Sequence, residues 1–412
     1  MKVFVKTFGC RVNQVETQAV LEKLLSAGHS CCESYLEADA CIVNTCTVTS
    51  RADSDCARFL RLVSARNPKA RIVVTGCYAQ LNPEKVLSSA PAAELVPNPR
   101  KQEIPLLLGA PEAASDWSVS GLHGRTRAFV KIQDGCDRFC AYCAVPLART
   151  GKYSKPLRSA IAEIRALAAS GIGEIVLSGI NIGDYRCPET GAPLARVLKE
   201  AAALDGEFRL RLSSVEAFSF TPELLSAAVS AGGKFCSYFH IPLQTGSPSL
   251  ALDMNRKCSP GDFAAAVDMV RAAFPGVSIF SDVIAGYPTE TDAQFRETFD
   301  FIQAMKLSGL HVFSYSSRPG TAAAKLKPLP PAVVKARAQE LRALDRRLRE
   351  GLARAMVGTM QSVLVEDGTR PLSGLAENFQ RVLLSGGGKA SGFVRAEIIS
   401  ADDGLCRGRI IS

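Results

Sequence analysis

The sequence lacks the long apolar runs and the leading segment that would direct a chain into or across a membrane. None of the apolar stretches among its 412 residues approaches the roughly 20 residues that a helix needs to span a bilayer. Lys6 interrupts the opening run Met1-Lys2-Val3-Phe4-Val5, so the apolar core of a secretory signal is missing too. We therefore expect a cytoplasmic protein with no membrane partner.

A large excess of one charge is also missing over most of the chain, although the net charge is +9. The segment 355–412 carries six basic and six acidic side chains. By contrast, the segment 332–354 carries seven basic and three acidic side chains, and it has the pattern of a helix that begins after a proline-rich stretch. A basic helix suits a polyanionic partner such as a nucleic acid, and the alternative is a solvated helix face.

Fourteen cysteines stand out in a chain that we place in the cytoplasm, where disulfides are rare. Three of them form the run Cys136-x-x-x-Cys140-x-x-Cys143, just after an apolar, strand-like segment at 128–132. Three thiolates at this spacing can bind three corners of a cubic 4Fe-4S cluster, which leaves the fourth iron free for a small molecule. Zinc is the alternative, but structural zinc takes four ligands, and no nearby Cys or His completes the set.

Three other cysteines occupy equivalent places in the first 90 residues, where strand-like and helix-like segments alternate. This alternation predicts a small parallel sheet with helices packed around it. Cys10, Cys46 and Cys77 each lie just past the carboxyl end of a predicted strand, where open α/β sheets build their ligand sites. They are candidates for a second cluster, and the alternative is three small buried side chains.

The central part of the chain repeats a strand-then-helix pattern that is typical of an open, partial TIM barrel. Its six predicted strands lie at 128–132, 174–177, 208–212, 238–241, 278–283 and 309–313. Polar motifs follow the second to sixth strands, at 179–185, 213–216, 242–247, 285–290 and 315–321. Because barrel chemistry gathers at the carboxyl ends of strands, these amides, hydroxyls and carboxylates can hold a ribose or an amino-acid group.

The cysteine run, with Tyr142 before its last cysteine, resembles the signature of radical S-adenosylmethionine enzymes. This resemblance implies that the open iron chelates the cofactor and that an electron from the cluster cleaves it to a 5′-deoxyadenosyl radical. The segments 9–13, 44–49 and 75–80 are similar to the N-terminal domain of the methylthiotransferases, which carry two 4Fe-4S clusters. The barrel motifs resemble the same family, and Thr150 departs from it locally where the family usually has glycine.

The resemblance implies a role for each group of residues. The ligands of the radical-generating cluster would be Cys136, Cys140 and Cys143. The ligands of the cluster that supplies sulfur would be Cys10, Cys46 and Cys77. No catalytic residue is expected beyond these ligands. The S-adenosylmethionine pocket would be lined by Tyr142, Gly179, Asn181, Ser214, Glu216 and Gln244.

The predicted fold class is α/β, in three parts. A doubly wound parallel α/β domain (1–105) that binds a cluster is followed by a linker (106–124) and a partial (β/α)6 TIM-like radical S-adenosylmethionine core (125–331). The basic helix (332–356) then leads to a small antiparallel β-barrel (357–412), predicted from short apolar runs between Gly- and Asp-rich turns. By position and pattern that barrel resembles the TRAM domain, which implies tRNA binding.

The expected function is methylthiolation of carbon 2 of threonylcarbamoyladenosine beside the anticodon, because the segments 9–18 and 311–321 look most like that branch of the family. The alternative substrates are isopentenyladenosine in tRNA and an aspartate of a ribosomal protein. A non-enzymatic alternative is an iron–sulfur electron carrier that binds RNA. The expected partners are the tRNA anticodon stem-loop and an electron donor protein, with the sulfur donor left open.

Overall fold

Three β structures follow one another along the chain in the computed structural model, which describes residues 1–114, 116–120, 126–367, 372–386 and 391–411. They are a five-stranded parallel sheet, a partial barrel made of two three-stranded parallel sheets, and a small closed barrel, and a separate pair of short antiparallel strands belongs to the central region. Within the described residues, none of the helices combines the length and the apolar character that a membrane-spanning helix needs.

The N-terminal sheet has the strand order β2-β1-β3-β4-β5, and all its pairs are parallel. Its strands are β1 (Lys2–Thr7), β2 (Ser30–Cys31), β3 (Ala40–Thr45), β4 (Arg71–Gly76) and β5 (Glu94–Leu95). The helices of this region are α1 (Arg11–Ser26), α2 (Ser50–Arg66), α3 (Cys77–Leu81), α4 (Pro83–Ser89) and α5 (Ile104–Leu107).

Helices cover both faces of that sheet, so its central strands are apolar at nearly every position. Ile42 and Val73 pack against α1 on one face, whereas Cys41 and Val74 pack against α2 on the other. All six residues of β3 are buried. The doubly wound arrangement expected from the sequence is confirmed.

The central region forms a partial barrel with the strand order β6-β9-β10 in one sheet and β11-β12-β13 in the other. A parallel bridge between Leu210 and Phe235 links the two sheets. The strands of the central region are β6 (Arg127–Lys131), β7 (Gln133–Asp134), β8 (Tyr153–Ser154), β9 (Glu174–Ser178), β10 (Arg209–Leu212), β11 (Tyr238–His240), β12 (Ser278–Ala285) and β13 (Gly309–Ser314). Its helices are α6 (Val145–Ala148), α7 (Leu157–Ala169), α8 (Leu194–Ala202), α9 (Pro222–Ser230), α10 (Pro248–Asp253), α11 (Pro260–Ala273) and α12 (Asp292–Ala304).

Local signals fix where several of these helices begin. At α11 the side chain of Ser259 accepts from the backbone N–H of Asp262, and the side chain of Asp262 accepts in return. Thr291 and Gln294 form the same reciprocal pair at α12. Each pair satisfies two backbone donors that a helix start leaves without partners, so the two helices begin at fixed residues beside the barrel strands.

The long helix α13 (Pro331–Met356) leads into the closed barrel. The strands of that barrel are β14 (Met360–Asp367), β15 (Ser373–Ala376), β16 (Arg381–Ser385), β17 (Gly392–Asp402) and β18 (Leu405–Ile410). Its pairs are antiparallel except β16 with β18, which are parallel. Arg209 at the start of β10 donates to the carbonyl of Leu375 at 2.9 Å, so the closed barrel packs against the amino ends of the central strands.

The predicted fold class is confirmed, including the six barrel strands, which start and end within two residues of their predicted positions. The exact domain boundaries at residues 105, 124, 331 and 356 stay predictions. Residue 115 and residues 121–124 of the predicted linker lie outside the described residues.

Candidate active site

The loop between β7 and α6 carries Cys136, Cys140 and Cys143, and neighbouring segments hold it in place. The backbone N–H of Ala141 donates to the carbonyl of Met254 at 2.8 Å, and the N–H of Ala323 donates to the carbonyl of Ala141 at 2.8 Å. Phe139 adopts a left-handed conformation (φ 48°), and its carbonyl accepts from Asn255 at 2.9 Å. The three cysteines therefore lie on a loop whose backbone is fixed by segments that follow α10 and β13.

Two of these thiols, Cys136 and Cys143, are poor acids in their surroundings. Burial raises the pKa of Cys136, and it raises the pKa of Cys143 to about 12. Arg256 donates to the sulfur of Cys140 at 3.8 Å while it forms an ion pair with Glu216 at 2.8 Å. Iron binds the thiolate, so loading of this site would release protons, and the nearby guanidinium stabilises the resulting negative charge.

The three N-terminal cysteines are brought together by the parallel sheet. Cys10 precedes α1, Cys46 follows β3, and Cys77 begins α3. A Cβ atom built on Gly9 (φ +91°) would lie 2.3 Å from the sulfur of Cys46, so only glycine fits at this turn. Burial raises the pKa of Cys46 to about 11, and the nearby thiols of Cys10 and Cys77 act in the same direction.

Beside this triplet lies a group of buried charges that we call the Glu16 network: Glu16, Lys101, Lys131, Asp134 and Arg149. Both lysine ammonium groups lie 2.5 Å from Glu16. Arg149 contacts Glu16 at 2.8 Å and Asp134 at 2.7 Å. Glu16 and Lys101 belong to the N-terminal region, and the other three belong to the central region, so the network joins the two halves of the site.

A cavity of about 230 Å³ is lined by one cysteine of each triplet, Cys77 and Cys143. We call it the cluster cavity. A second, larger space of about 780 Å³ runs into the central barrel and is bordered by Cys10; we call it the barrel cavity. Both cavities are lined by Val48, Val145, Asp282 and Phe313, so they are neighbours along one wall.

The structure places four of the six predicted S-adenosylmethionine residues on these cavities. Tyr142 and Gln244 line the cluster cavity, and Gly179 and Ser214 line the barrel cavity. The remaining two lie close by: Glu216 is held by Arg256 near Cys140, and Asn181 lies beyond β9.

Two features of these residues fit a polar cofactor. Asn181 is buried, and neither the oxygen nor the nitrogen of its side-chain amide has a hydrogen-bond partner among the described residues. Such an amide is costly unless a ligand satisfies it. Gln244 has a φ of 74°, a strained conformation for a residue other than glycine, and strain of this kind clusters at ligand sites.

Sequence reasoning missed the polar group on the opposite wall. The imidazole of His240 is buried, lies 3.0 Å from Asp282 and borders the barrel cavity. His311 lies 3.3 Å from the same carboxylate oxygen. Asp282 and His311 are paired in register on β12 and β13. Charged residues in the middle of predicted apolar strands were the signal that could have revealed this group.

The two family matches define the class of protein. Residues 130–302 match the radical SAM superfamily, and residues 2–97 match the family described as uncharacterized protein family UPF0004. The chain is therefore a radical S-adenosylmethionine protein, and such proteins use that cofactor together with an iron–sulfur cluster.

Curated relatives show which family of radical S-adenosylmethionine proteins the chain is similar to. The threonylcarbamoyladenosine tRNA methylthiotransferase MtaB of Chlamydia pneumoniae is 34% identical over 378 residues, covering 91% of this chain and 89% of the relative. The tRNA-2-methylthio-N(6)-dimethylallyladenosine synthase of Cereibacter sphaeroides is 34% identical over 388 residues, covering 90% of this chain and 88% of the relative. The chain belongs to the MtaB-type methylthiotransferase family.

A solved structure supports the fold. The radical S-adenosylmethionine methyltransferase TsrM of Kitasatospora setae, solved with cobalamin and a [4Fe-4S] cluster, superimposes with a TM-score of 0.58 at 14% identity. The match covers 78% of this chain and 76% of that one. At this identity the likeness concerns the fold alone.

Proposed function

We propose that the protein is a tRNA methylthiotransferase that adds a methylthio group to carbon 2 of threonylcarbamoyladenosine beside the anticodon. One observation carries the proposal: a single cavity is bordered by a cysteine of each triplet, Cys77 and Cys143. Carbon 2 of a base in that cavity would be within reach of both sites at once. The MtaB relatives, at about one-third identity over most of the chain, favour the threonylcarbamoyl substrate.

The two triplets would have separate tasks. Cys136, Cys140 and Cys143 would hold one 4Fe-4S cluster, and Cys10, Cys46 and Cys77 would hold a second one that supplies sulfur. When bound, the first cluster and S-adenosylmethionine supply a 5′-deoxyadenosyl radical, which is strong enough to remove the hydrogen on carbon 2 of adenine. A second S-adenosylmethionine supplies the methyl group, and an electron donor protein supplies the electrons.

The residues of the cavity would orient the reactants and exclude water. Asn181 would use its free amide to bind the cofactor. Gly179 lines the barrel cavity, and packing within the protein requires glycine there, since a Cβ would lie 2.8 Å from the carbonyl oxygen of Gln133. Val48, Ile284 and Phe313 make the wall of the cluster cavity apolar. An apolar wall keeps water and its hydrogen atoms away from a reactive radical.

The base must leave the anticodon stack to reach this cavity, at a cost of about a few kcal/mol. The exposed cations Lys335, Arg342 and Arg346 on α13 would bind tRNA phosphates, and the closed barrel would contribute a second contact surface. Phe379 of the closed barrel lines the barrel cavity, so this candidate RNA-binding part borders the site.

The decisive assay is anaerobic. Reconstituted protein is incubated with S-adenosylmethionine, a chemical reductant and tRNA that carries threonylcarbamoyladenosine, and the digested nucleosides are analysed by mass spectrometry. We expect 2-methylthio-threonylcarbamoyladenosine together with 5′-deoxyadenosine. The matched substrates are tRNA with isopentenyladenosine and the ribosomal protein.

Each alternative predicts a different result in that assay. Product only on isopentenyladenosine would assign the protein to the branch of its Cereibacter relative, and product only on the ribosomal protein would assign it to the aspartate branch. Failure to form 5′-deoxyadenosine with any substrate would favour an electron carrier.

A further inference from the structure

Among the described residues, three arginines border the barrel cavity. Arg127 and Arg211 border it from β6 and β10, and Arg11 borders it from the N-terminal region. Two histidines, His240 and His311, border it from β11 and β13 beside Asp282. A substituent that extended from the cluster cavity into this space would therefore meet arginine side chains.

Arg11 is held on that wall by stacking. It is the first residue of α1, and the carbon of its guanidinium lies 4.6 Å from the centre of the Phe129 ring on β6. An arginine over an aromatic face keeps a defined position and leaves the edge of its guanidinium, with its N–H groups, free to bind an anion.

The other two arginines already have partners. Arg211 forms an ion pair with Glu174 at 2.8 Å, and Arg127 pairs with Glu366 at 2.7 Å and lies 3.5 Å from Glu174. Among the described residues, Arg11 has neither an ion pair nor a hydrogen bond from its side chain. A bound anion would supply the partner that this guanidinium lacks.

We infer that Arg11 binds the carboxylate of the threonylcarbamoyl group and thereby selects the substrate base. The inference rests on the proposed function. The threonylcarbamoyl group ends in a carboxylate and a hydroxyl, whereas an isopentenyl group is entirely apolar. Ser213, Ser214 and Tyr238 supply hydroxyl groups on the same cavity for the polar parts of the substituent.

The arrangement of the two cavities supports this assignment. They share Asp282 and Phe313, so a base in the cluster cavity can direct its N6 substituent into the barrel cavity. A planar guanidinium can form two parallel hydrogen bonds with a carboxylate, which gives direction as well as affinity. Arg11 thus becomes a specificity-determining residue rather than a cluster ligand.

The test compares anticodon stem-loops that carry the carboxylate with stem-loops that lack it. Anticodon stem-loops are prepared with threonylcarbamoyladenosine as the free acid, as its methyl amide, and with unmodified adenosine. Binding to cluster-loaded protein is measured by fluorescence anisotropy without S-adenosylmethionine, and KM and kcat are measured separately with it. We expect the wild-type protein to prefer the acid over the amide by about 10-fold or more, as for a charge-assisted hydrogen bond.

Arg11→Ala and Arg11→Gln should each abolish this preference by weakening binding of the acid, with little change for the amide. Arg11→Lys should keep part of it, because the charge remains and the fork geometry is lost. The change should appear in KM more than in kcat. Arg196→Ala removes an exposed arginine that pairs with Glu200 on α8, and it should leave the preference intact. Iron content is measured for every variant, because Arg11 follows Cys10.

Three outcomes would overturn the inference. If the Arg11 variants bind acid, amide and unmodified stem-loops equally less well, Arg11 contacts a phosphate. If they lose 5′-deoxyadenosine formation in the absence of RNA while keeping their iron, Arg11 acts on the cofactor instead. If the wild-type protein methylthiolates the acid and the amide equally well, the proposed function stands without a carboxylate subsite. If the wild-type protein modifies neither of them, the proposed function itself fails.

Discussion

The two cysteine triplets are built in opposite ways. Cys136, Cys140 and Cys143 lie on one loop of eight residues, whereas Cys10, Cys46 and Cys77 come from the ends of three neighbouring strands, β1, β3 and β4. The loop triplet depends on local backbone contacts. The dispersed triplet exists only when the N-terminal sheet is formed, because nothing else brings these residues together.

Their electrostatic surroundings differ as well. Arg256 near the loop triplet is neutralised by Glu216. The Glu16 network beside the dispersed triplet has three cations and two carboxylates. Burial raises the pKa of Cys10, and the charge of Arg149 opposes that effect. Residues of both regions therefore stabilise negative charge on the dispersed triplet. This difference predicts that substitutions in the two triplets have different effects on activity.

The largest effect should follow from removing the loop triplet. The variant with Cys136, Cys140 and Cys143 changed to Ala should form no 5′-deoxyadenosine and no methylthiolated product, since it could not hold the radical-generating cluster. Its iron content should fall to about half of the wild-type value, as expected for one of two four-iron clusters. Iron analysis and chromatography of the cofactor products are the measurements. A full iron load would contradict the ligand assignment.

Substitution of the dispersed triplet should affect product formation but not cofactor cleavage. With Cys10, Cys46 and Cys77 changed to Ala, the cofactor should still be cleaved to 5′-deoxyadenosine, but no methylthiolated nucleoside should appear. The same chromatography and mass spectrometry of tRNA nucleosides measure both quantities in one sample. Wild-type product formation by this variant would refute the sulfur-donor role, and circular dichroism serves as the control for folding of the sheet.

A stability change should come next, from the charges that join the two triplets. Glu16→Gln leaves three buried cations with one carboxylate, and loss of one partner from a buried ion pair costs about 3–5 kcal/mol. Thermal and urea unfolding measure the loss. Glu112→Gln is the matched control: Glu112 pairs with Lys23 at the surface with 71% of its side chain exposed, so we expect no more than about 1 kcal/mol. Equal losses for both variants would contradict the role of the network.

The pH dependence of unfolding should show that Glu16 stabilises the protein as a carboxylate. Burial alone would raise its pKa, but Arg149, Lys101 and Lys131 lower it well below the usual range. A carboxylate with a lowered pKa in the folded state stabilises the protein above its unfolded pKa of about 4.3, and this contribution is lost as the pH falls through the folded value. The difference in unfolding free energy between wild type and Glu16→Gln should therefore be constant near neutral pH and shrink on acidification below about pH 4. A difference that grows on acidification would contradict this sign.

The smallest effect should lie farthest from the triplets, on α13. Combined Ala substitution of Lys335, Arg342 and Arg346 should weaken tRNA binding and flatten the slope of log K against log salt by roughly 0.7–0.9 for each phosphate that is no longer bound. Arg349→Ala is the comparison, because Arg349 binds Asp345 at 2.8 Å and the carbonyl of Leu310 at 2.9 Å. It should lower the melting temperature and leave the slope unchanged. An unchanged slope in the triple variant would place the main phosphate contacts elsewhere.

The sequence predicted what depends on local patterns. The alternation of apolar segments was enough for the strands of both α/β regions, and the spacing of Cys136, Cys140 and Cys143 was enough for one triplet. The position of Cys10, Cys46 and Cys77 at strand ends followed from sheet topology. In each case the information lies within one element or in the order of elements.

What the sequence did not reveal depends on packing between regions. Glu16 and Arg149 are 133 positions apart, and nothing local to either residue indicates the other. The charge count of α13 also overestimated the surface that is available to RNA. Arg337 is buried against Glu290 and Asp292, and Arg349 packs on β13, so only some of the basic side chains of the helix are free to bind an RNA. A count of charges does not say which side of a helix carries them.

The Glu16 network also limits how this protein can be recombined with its relatives. Glu16 takes Lys101 from its own region but Lys131 and Arg149 from the central one, where Asp134 alone of the described residues balances these two cations. A chimera that joined this barrel to a foreign N-terminal sheet would therefore bury an unbalanced cation unless the new sheet brought a carboxylate at the position of Glu16. Exchange of whole domains is therefore constrained by a few paired side chains. Functional hybrids are expected only where both halves keep these charged residues.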